Sequence, residues 1–307
     1  MKSGKSLLIP ILAALLLPTL AFAAPSKVLP RLKLQVGQKF KLRASSDSKM
    51  TNTVNGQKQV ILDSASVVFA FELLSVDEVG DMAIKVTYDS IRLNEEAPGG
   101  KVAYDSTLGG EVQPLVRGLA SLVGQSVTMR ISPDGRVRSV TGADELVAKG
   151  IEKYNALSEP WRSSMSKILQ DRFGNQPTSE MMQGLFGVYP EQPVAVGERW
   201  SRKFSMSIGT AECFYKITDR KNGVLNIKTY ATVTPDPDAP PIQMGLSLVK
   251  SELNGKQEGT LQLDEATGIP VGSKDTNSSS GNLVIVQGGS EIRIPSSSTS
   301  TTTVEKL

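Results

Sequence analysis

The residue types that most enzymes use for acid–base and nucleophilic chemistry are scarce in this chain of 307 residues. It contains no histidine, which excludes Ser-His-Asp and Cys-His catalysis as well as zinc sites with histidine ligands. Its one cysteine, Cys213, lies in an apolar, strand-like segment and is expected to be a small core residue. A single cysteine also excludes an intramolecular disulfide and a metal site built from several cysteines.

Two catalytic patterns that need no histidine remain. Ser164 and Lys167 have the Ser-x-x-Lys spacing of some acyl transferases, but the Lys-Thr-Gly motif that accompanies it in those enzymes is absent. Carboxylate-dependent hydrolysis needs two converging acidic groups, whereas neighbours such as Glu95 and Glu96 point to opposite faces of a strand. We therefore predict no catalytic residue, no metal site and no cofactor, with a carboxylate-dependent hydrolase as the enzymatic alternative.

The strongest candidate for a binding site is a stripe of apolar side chains in the middle of the chain. Methionine adapts to apolar partners of varied shape, so a methionine-lined space between helices and a sheet would suit a lipid-like ligand. The alternative is an ordinary hydrophobic core at helical spacing. The predicted ligand-binding residues are Trp161, Met165, Ile168, Phe173, Met181, Met182 and Phe186.

Residues 142–187 predict the helices that carry this stripe. Ser158 is a suitable N-cap, Pro160 falls in the first helical turn, and Gly174 follows the last periodic residue. These helices each have one apolar face, which they must bury against another element.

Alternation of apolar and polar residues predicts strands on both sides of the helices. The alternation slips by one residue near Asp89, which predicts a bulge that curves the sheet. Residues 67–76 are apolar at both odd and even positions, which predicts a strand covered on both faces. Hairpin turns are predicted at 132–135 and at the Asn-Gly pairs 55–56, 222–223 and 254–255.

These patterns predict an α+β fold that is mainly antiparallel β, with a strongly curved sheet or open barrel wrapped around a central helical cluster. A sheet of ten or more strands tends to curl, and its concave face would bury the helices. The alternative is two small β domains joined by the helices.

We predict one β-rich domain over 24–295, with two similar halves at about 30–141 and 190–295. The two halves share one segment of five residues with similar residue types at each position: Val-Gly-Gln-Lys-Phe at 36–40 and Val-Gly-Glu-Arg-Trp at 196–200. Residues 296–307 are rich in Ser and Thr and are predicted to be a disordered tail.

The first 23 residues predict export. Lys2 and Lys5 precede an apolar run, and Ala21 and Ala23 supply the small residues that signal peptidase needs, so cleavage is expected after Ala23. The run is short and broken by proline, so no transmembrane helix is expected in the mature protein, which would be periplasmic or extracellular. Its net charge of about +1 gives no long-range field to attract nucleic acid.

Several segments together resemble a family of secreted bacterial proteins catalogued only as a domain of unknown function. The segments are 36–40, Gly-Lys-Val-Ala-Tyr-Asp-Ser at 100–106, Leu-Val-Gly-Gln-Ser-Val-Thr-Met-Arg-Ile-Ser-Pro-Asp-Gly-Arg-Val at 122–137, Val-Thr-Gly at 140–142 and Pro-Val-Ala-Val-Gly-Glu-Arg-Trp at 193–200. The resemblance spans about residues 30–275. It implies a β-rich, exported protein and transfers no site residues.

A looser architectural likeness is to periplasmic lipoprotein carriers, in which an open β-barrel wraps around helices and holds acyl chains. We therefore predict an exported, non-catalytic binding module or carrier for an apolar or lipid-like ligand in the cell envelope. The alternative is an envelope structural or protein-interaction module that binds an envelope protein.

Overall fold

A computed structural model describes residues 26–206, 209–244, 247–287 and 290–307. The predicted signal peptide, 1–23, lies outside these ranges. The strands of the N-terminal half are β1 (Lys39–Val54), β2 (Gln57–Val76), β3 (Met82–Ala97), β4 (Gly100–Asp105), β5 (Ser126–Ile131) and β6 (Val137–Thr141). The helices are α1 (Arg117–Ala120), α2 (Ala143–Ile151), α3 (Glu159–Phe173) and α4 (Asn175–Phe186), with short 3₁₀ turns at Pro114–Val116 and Glu152–Tyr154. The strands of the C-terminal half are β7 (Arg199–Met206), β8 (Gly209–Lys221), β9 (Val224–Pro235), β10 (Ile242–Met244), β11 (Ser247–Asp264), β12 (Pro270–Gln287) and β13 (Ser290–Lys306).

Across the described residues, all thirteen strands belong to one antiparallel sheet. Its order is β6-β5-β3-β2-β1-β13-β12-β11-β9-β8-β7, with β4 paired to β3 and β10 paired to β11. The two halves meet where β1 pairs with β13, and β6 and β7 are the two outer edges. The sheet is curled and not closed, so the predicted fold class is confirmed. The alternative of two separate β domains is wrong, because one sheet runs through both halves.

The predicted disordered tail is also wrong. Residues 296–306 belong to β13, which is hydrogen-bonded to β1 on one side and to β12 on the other. Backbone hydrogen bonds to two neighbours satisfy a strand whatever its side chains, so a run of Ser and Thr can lie in the middle of a sheet.

The gap between the two sheet edges is occupied by α4 and the segment that follows it. The Gln183 side chain makes two hydrogen bonds to the backbone at the β6 edge, as a neighbouring strand would. Its Oε1 accepts the Val137 N–H at 2.9 Å, and its Nε2 donates to the Gly135 carbonyl at 2.9 Å. On the other edge, Trp200 Nε1 donates to the Val188 carbonyl at 2.9 Å. Gly135 has a φ of +78°, and a Cβ there would lie 1.9 Å from the Phe186 carbonyl oxygen, so this contact requires glycine.

One end of the curled sheet is closed by the segment that precedes β1. The Leu32 N–H donates to the Pro133 carbonyl and the Lys33 N–H to the Thr267 carbonyl, both at 2.9 Å. These carbonyls belong to turns in opposite halves of the sheet, so the segment ties the halves together. Leu32 itself is buried in the core.

The hydrophobic core lies at this closed end, between the concave face of the sheet and the helices. Phe40 stacks on Phe71 with ring centroids 4.8 Å apart, and Phe186 of α4 meets Phe71 edge-on at 5.5 Å. Aromatic pairs of this geometry add to the free energy of burial. The helices therefore hold the sheet in its curved shape.

Most of the predicted local features are confirmed. Hairpins form at 132–135, 55–56 and 222–223, with Asn55 and Asn222 both at positive φ. The β2–β3 register shifts so that Asp89 has no partner, which is the predicted bulge.

Two local predictions are wrong. The Asn-Gly pair at 254–255 lies inside β11, where a Cβ on Gly255 would approach the Val233 Cβ to 3.1 Å, so close packing explains this glycine. The strand at 67–76 is not covered on both faces along its whole length, since Leu74 is 45% exposed although Val68 on the same face is buried.

The two matching segments at 36–40 and 196–200 form the same turn. The Gly37 N–H donates to the Leu73 carbonyl of the neighbouring strand, and the Gly197 N–H donates to that of Ile217, both at 2.8 Å. In each turn the following side chain, Gln38 or Glu198, accepts a backbone N–H three residues earlier. The similarity in sequence is thus accompanied by a similarity in structure.

A concave face with a polar belt and an apolar tip

The concave face of the sheet is identified by its core residues. Phe40 and Leu42 of β1 are buried, and they pair with Phe71 and Phe69 of β2, which are also buried. Side chains alternate between the two faces of a strand, and directly paired residues lie on the same face. The strand registers therefore show which residues of the other strands lie on the concave face. This face continues well beyond the helices and the core.

Beyond the core, the concave face of the central strands is half-buried and mostly polar, with the paired Met50 and Ile61 among the polar residues. These residues, here called the polar belt, carry hydroxyl, amide or carboxylate groups: Ser46, Ser48, Asn52, Asp63, Asn277, Ser298, Ser300 and Thr302. Asn277 Nδ2 donates to Ser300 Oγ and to Thr302 Oγ1, both at 3.2 Å. Because these inward-facing side chains keep contact with solvent, this part of the sheet lines an open concavity.

Two acceptor atoms in the polar belt are buried without a hydrogen-bond donor among the described residues. They are Asn52 Oδ1 and Asp63 Oδ1. A buried acceptor without a donor costs about 1–3 kcal/mol, so such groups are usually satisfied by water or by a bound molecule. Burial also raises the pKa of the Asp63 carboxyl, an effect that Arg172 opposes and Asp47 increases.

Asp63 lies directly opposite Glu95 of β3, so two acidic side chains share one place on the concave face. Like charges opposite each other on a sheet destabilise it. In the sequence Glu95 is next to Glu96, and its pairing with Asp63 depends on the strand register, which the sequence does not show. The site therefore favours a hydrogen-bond donor or a positive charge.

The polar belt leads into an apolar region at the ends of β11, β12 and β13. This region, here called the apolar tip, lies on the same concave face and consists of Val249, Leu283, Ile285, Ile292 and Ile294. Val249 and Leu283 are buried, but Ile292 is 54% exposed. The concave face thus changes from polar to apolar along the same strands.

Helix α3 crosses the concave side between the two halves of the sheet. Its last residue, Phe173, meets Tyr88 of β3 edge-on at 6.2 Å, and Arg172 acts electrostatically on Asp63 of β2. The helix also lies beside β10 in the C-terminal half. It therefore bridges the concavity between the polar belt and the apolar tip.

The seven predicted ligand-binding residues do not form a single lining. Met182 and Phe186 of α4 are fully buried in the core, whereas Trp161 of α3 is 40% exposed. Ile168 is half-buried, and the other three are half-buried and pack against the core: Met165, Phe173 and Met181. Only α3 thus carries a predicted residue that is exposed, and a ligand contact for any of the seven stays a prediction.

The other candidate residues have structural partners. Lys167 forms an ion pair with Asp171. Cys213 is half-buried against the core, and burial raises the pKa of its thiol. Within the described ranges, no three acidic or cysteine side chains converge as a metal site would require.

Replacing Asp63 by asparagine should raise the thermal stability of the protein at neutral pH. A raised pKa means that the folded state favours the neutral carboxyl, so its stabilising contribution is present at low pH and is lost as the pH rises through the folded-state pKa. Asparagine cannot ionise, so Asp63→Asn should unfold at a higher temperature than the wild type at pH 7, with the difference shrinking in acid. Thermal unfolding followed by circular dichroism across this pH range measures it.

The matched control for this experiment is Glu96→Gln, which removes an exposed carboxylate from the same pair of strands. It should leave the pH dependence of the unfolding temperature nearly unchanged. A lower unfolding temperature for Asp63→Asn at pH 7 would contradict the assigned effect of burial.

The protein is thus an open, curled antiparallel sheet wrapped around helices, with a half-exposed concave face. Residues 79–270 match the sequence profile of a family described as "Family of unknown function (DUF6263)". The match covers more than half of the chain, so the protein belongs to this family, and the resemblance noted from its turn motifs is confirmed.

Comparison with solved structures gives weak likenesses. The structure of lipovitellin titled for its lipid–protein interactions is 9% identical, with a TM-score of 0.49 over 90% of this chain and 25% of that one. An outer membrane channel from Pseudomonas putida F1 is 8% identical, with a TM-score of 0.27 over 90% and 97% of the two chains. A putative outer membrane lipoprotein-sorting protein domain from Vibrio parahaemolyticus is 10% identical, with a TM-score of 0.13 over 86% and 83%.

The chain thus spans about a quarter of the lipovitellin chain. The TM-scores and identities are too low to support a functional inference. A search of curated protein sequences gave no match. In the part of the chain that the structure describes, every helix is too short or too polar to span a bilayer.

Proposed function

We propose that this protein is an exported, non-catalytic carrier that binds an amphipathic, lipid-like ligand in the concavity between the sheet and α3. The observation that carries the proposal is the half-exposed concave face, which runs from the polar belt to the apolar tip along the same strands. A face of this kind is complementary to a molecule with a polar head and an apolar chain.

The polar belt would hold the head group of the ligand. Its two unpartnered acceptors, Asn52 Oδ1 and Asp63 Oδ1, would each accept a hydrogen bond from a hydroxyl or amine of the ligand. A positively charged donor there would also offset the negative charges of Asp63 and of Glu95, which lies directly opposite it.

The apolar tip and the exposed side of α3 would hold the apolar chain of the ligand. Ile292 exposes more than half of its surface on the concave side of the tip, and Trp161 of α3 is also exposed. Covering such apolar surface is favourable by about 25 cal/mol for each Å² removed from water.

The proposal is tested by native mass spectrometry of the mature protein purified from its own envelope fraction, followed by organic extraction and lipid analysis. The wild type should carry an acyl-chain species. In Ile292→Glu its occupancy should fall below about a tenth, because a buried charge beside an acyl chain costs several kcal/mol. Trp161→Ala should also reduce occupancy.

The matched control is Val79→Glu, which places the same charge on a residue that is 78% exposed, in the β2–β3 turn at the opposite end of the sheet from the apolar tip. It should retain the ligand. A wild type that carries no ligand would refute the carrier proposal and would favour an envelope interaction module.

A further inference from the structure

The convex face of the C-terminal half carries a row of positive charges. Arg199 of β7 lies directly opposite Lys216 of β8, which lies directly opposite Lys228 of β9. The row continues through Thr260 of β11 to Lys274 of β12. The flanking residues of β8 and β9 point into the core, which places these side chains on the convex face.

Acidic residues lie in the rows on both sides of these cations, but within the described residues they form no ion pair with them. Among the described residues, none of Arg199, Lys216, Lys228 and Lys274 forms an ion pair. In the adjacent row on one side, Gln262 bonds to Asn226, Asp219 lies opposite Asn226, and Glu305 of β13 pairs with Arg43. On the other side, Glu258 lies diagonally from the row and makes no ion pair within the described ranges.

The convex face of the N-terminal half is different. There Lys41 pairs with Asp89, Arg43 with Glu305 and Arg92 with Asp105. Like charges directly opposite each other are destabilising in a sheet. The unneutralised row is therefore an unfavourable arrangement for the isolated protein, and an anionic partner would relieve it.

Two aromatic side chains lie next to this row. Phe214 and Tyr230 pair across β8 and β9 in the next convex-facing row, with ring centroids 6.1 Å apart. Phe214 is 39% exposed. Aromatic side chains beside lysine and arginine are typical of residues at a membrane–water interface, where the rings meet the head groups.

We propose that the convex face of β7 to β12 is a docking surface for an anionic phospholipid membrane. The row spans four strand spacings, about 19 Å, and three of its four cations are lysines. Lysine acts as a mobile point charge, which suits lipid phosphates that have no fixed arrangement. The overall charge is close to zero, so this local row supplies the attraction.

This docking surface does not depend on the ligand-binding function, because it lies on the opposite face of the sheet from the polar belt. The test is co-sedimentation of the mature protein with phosphatidylcholine vesicles that either contain or lack phosphatidylglycerol, at low and at high salt. The protein should bind the phosphatidylglycerol vesicles at low salt and should be released by high salt.

The double variant Lys216→Gln/Lys228→Gln should bind these vesicles about 25-fold more weakly, since each lysine near an anionic surface changes the partition coefficient about fivefold. The matched control is Lys49→Gln/Lys58→Gln, which removes the same charge from exposed positions on the convex face of β1 and β2. The control should bind nearly as well as the wild type.

Thermal unfolding separates this effect from loss of structure. The Lys216→Gln/Lys228→Gln variant should unfold at the same or a slightly higher temperature than the wild type, because the repulsion within the row is relieved. The proposal is overturned if the wild type does not bind phosphatidylglycerol vesicles, or if both double variants weaken binding equally. An acidic protein surface would then be the remaining partner for the row.

Discussion

A chain that ends at Pro295 should fail to form the native sheet. The truncation removes residues 296–306 of β13, which join the two halves by pairing with β1 and with β12. Both neighbours would lose their backbone hydrogen bonds along this length, a loss that exceeds the whole stability of a typical domain, about 5–15 kcal/mol. Near-UV circular dichroism and thermal unfolding should show no cooperative transition.

The control for the truncation keeps the backbone and changes only side chains. Ser297→Ala/Thr299→Ala alters two exposed residues of the same strand and should change the free energy of unfolding by less than about 0.5 kcal/mol. If the truncated chain unfolded like the wild type, the segment would be the disordered tail that its composition suggests.

Replacing Phe186 by alanine should lower the free energy of unfolding by about 3–5 kcal/mol, measured by urea denaturation. Phe186 is fully buried and packs edge-on against Phe71, so alanine would leave a cavity between α4 and the concave face. The large expected loss follows from the complete burial of the Phe186 side chain. Among the other predicted ligand residues, Trp161 is not buried in this way.

Trp161→Ala is the comparison for this variant. The indole is 40% exposed, so its removal should cost no more than about 1 kcal/mol. Equal losses for the two variants would contradict the assignment of α4 to the core and of α3 to the edge of the concavity.

The local features of the fold were predictable because they depend on neighbouring residues. Turn chemistry gave the hairpins at 55–56 and 222–223, and a one-residue slip in the alternation gave the bulge at Asp89. Helical spacing, capping and a terminal glycine gave the helices within 142–187. Each of these signals is contained in a short segment, so no tertiary information was needed.

The position of β13 was not predictable in the same way. Composition marks 296–303 as low in complexity, but the segment contains four threonines, a residue that favours strands. Its order depends on β1, which lies near the other end of the chain. No pattern within residues 296–303 themselves indicates that this segment has a partner strand.

The concave site was missed for a related reason. Asp63 and Glu95 meet through the register of β2 and β3, and the polar belt combines residues from distant parts of the chain. The row of cations on the convex face is assembled in the same manner, from Arg199 to Lys274. Sequence patterns could have suggested these sites only after the strand order was known.

The pairing of β1 with β13 also has a consequence for how the chain folds. From β7 to β13 and then from β1 to β6, the order of the main sheet follows the order of the chain. Among the described strands, the one long-range connection in this order is the pairing of β1 with β13. That pairing carries a large loop-closure entropy and a high contact order, which slow folding. A circular permutant that joins Leu307 to the segment before β1 and opens between β6 and β7 would turn the slowest pairing into a local hairpin.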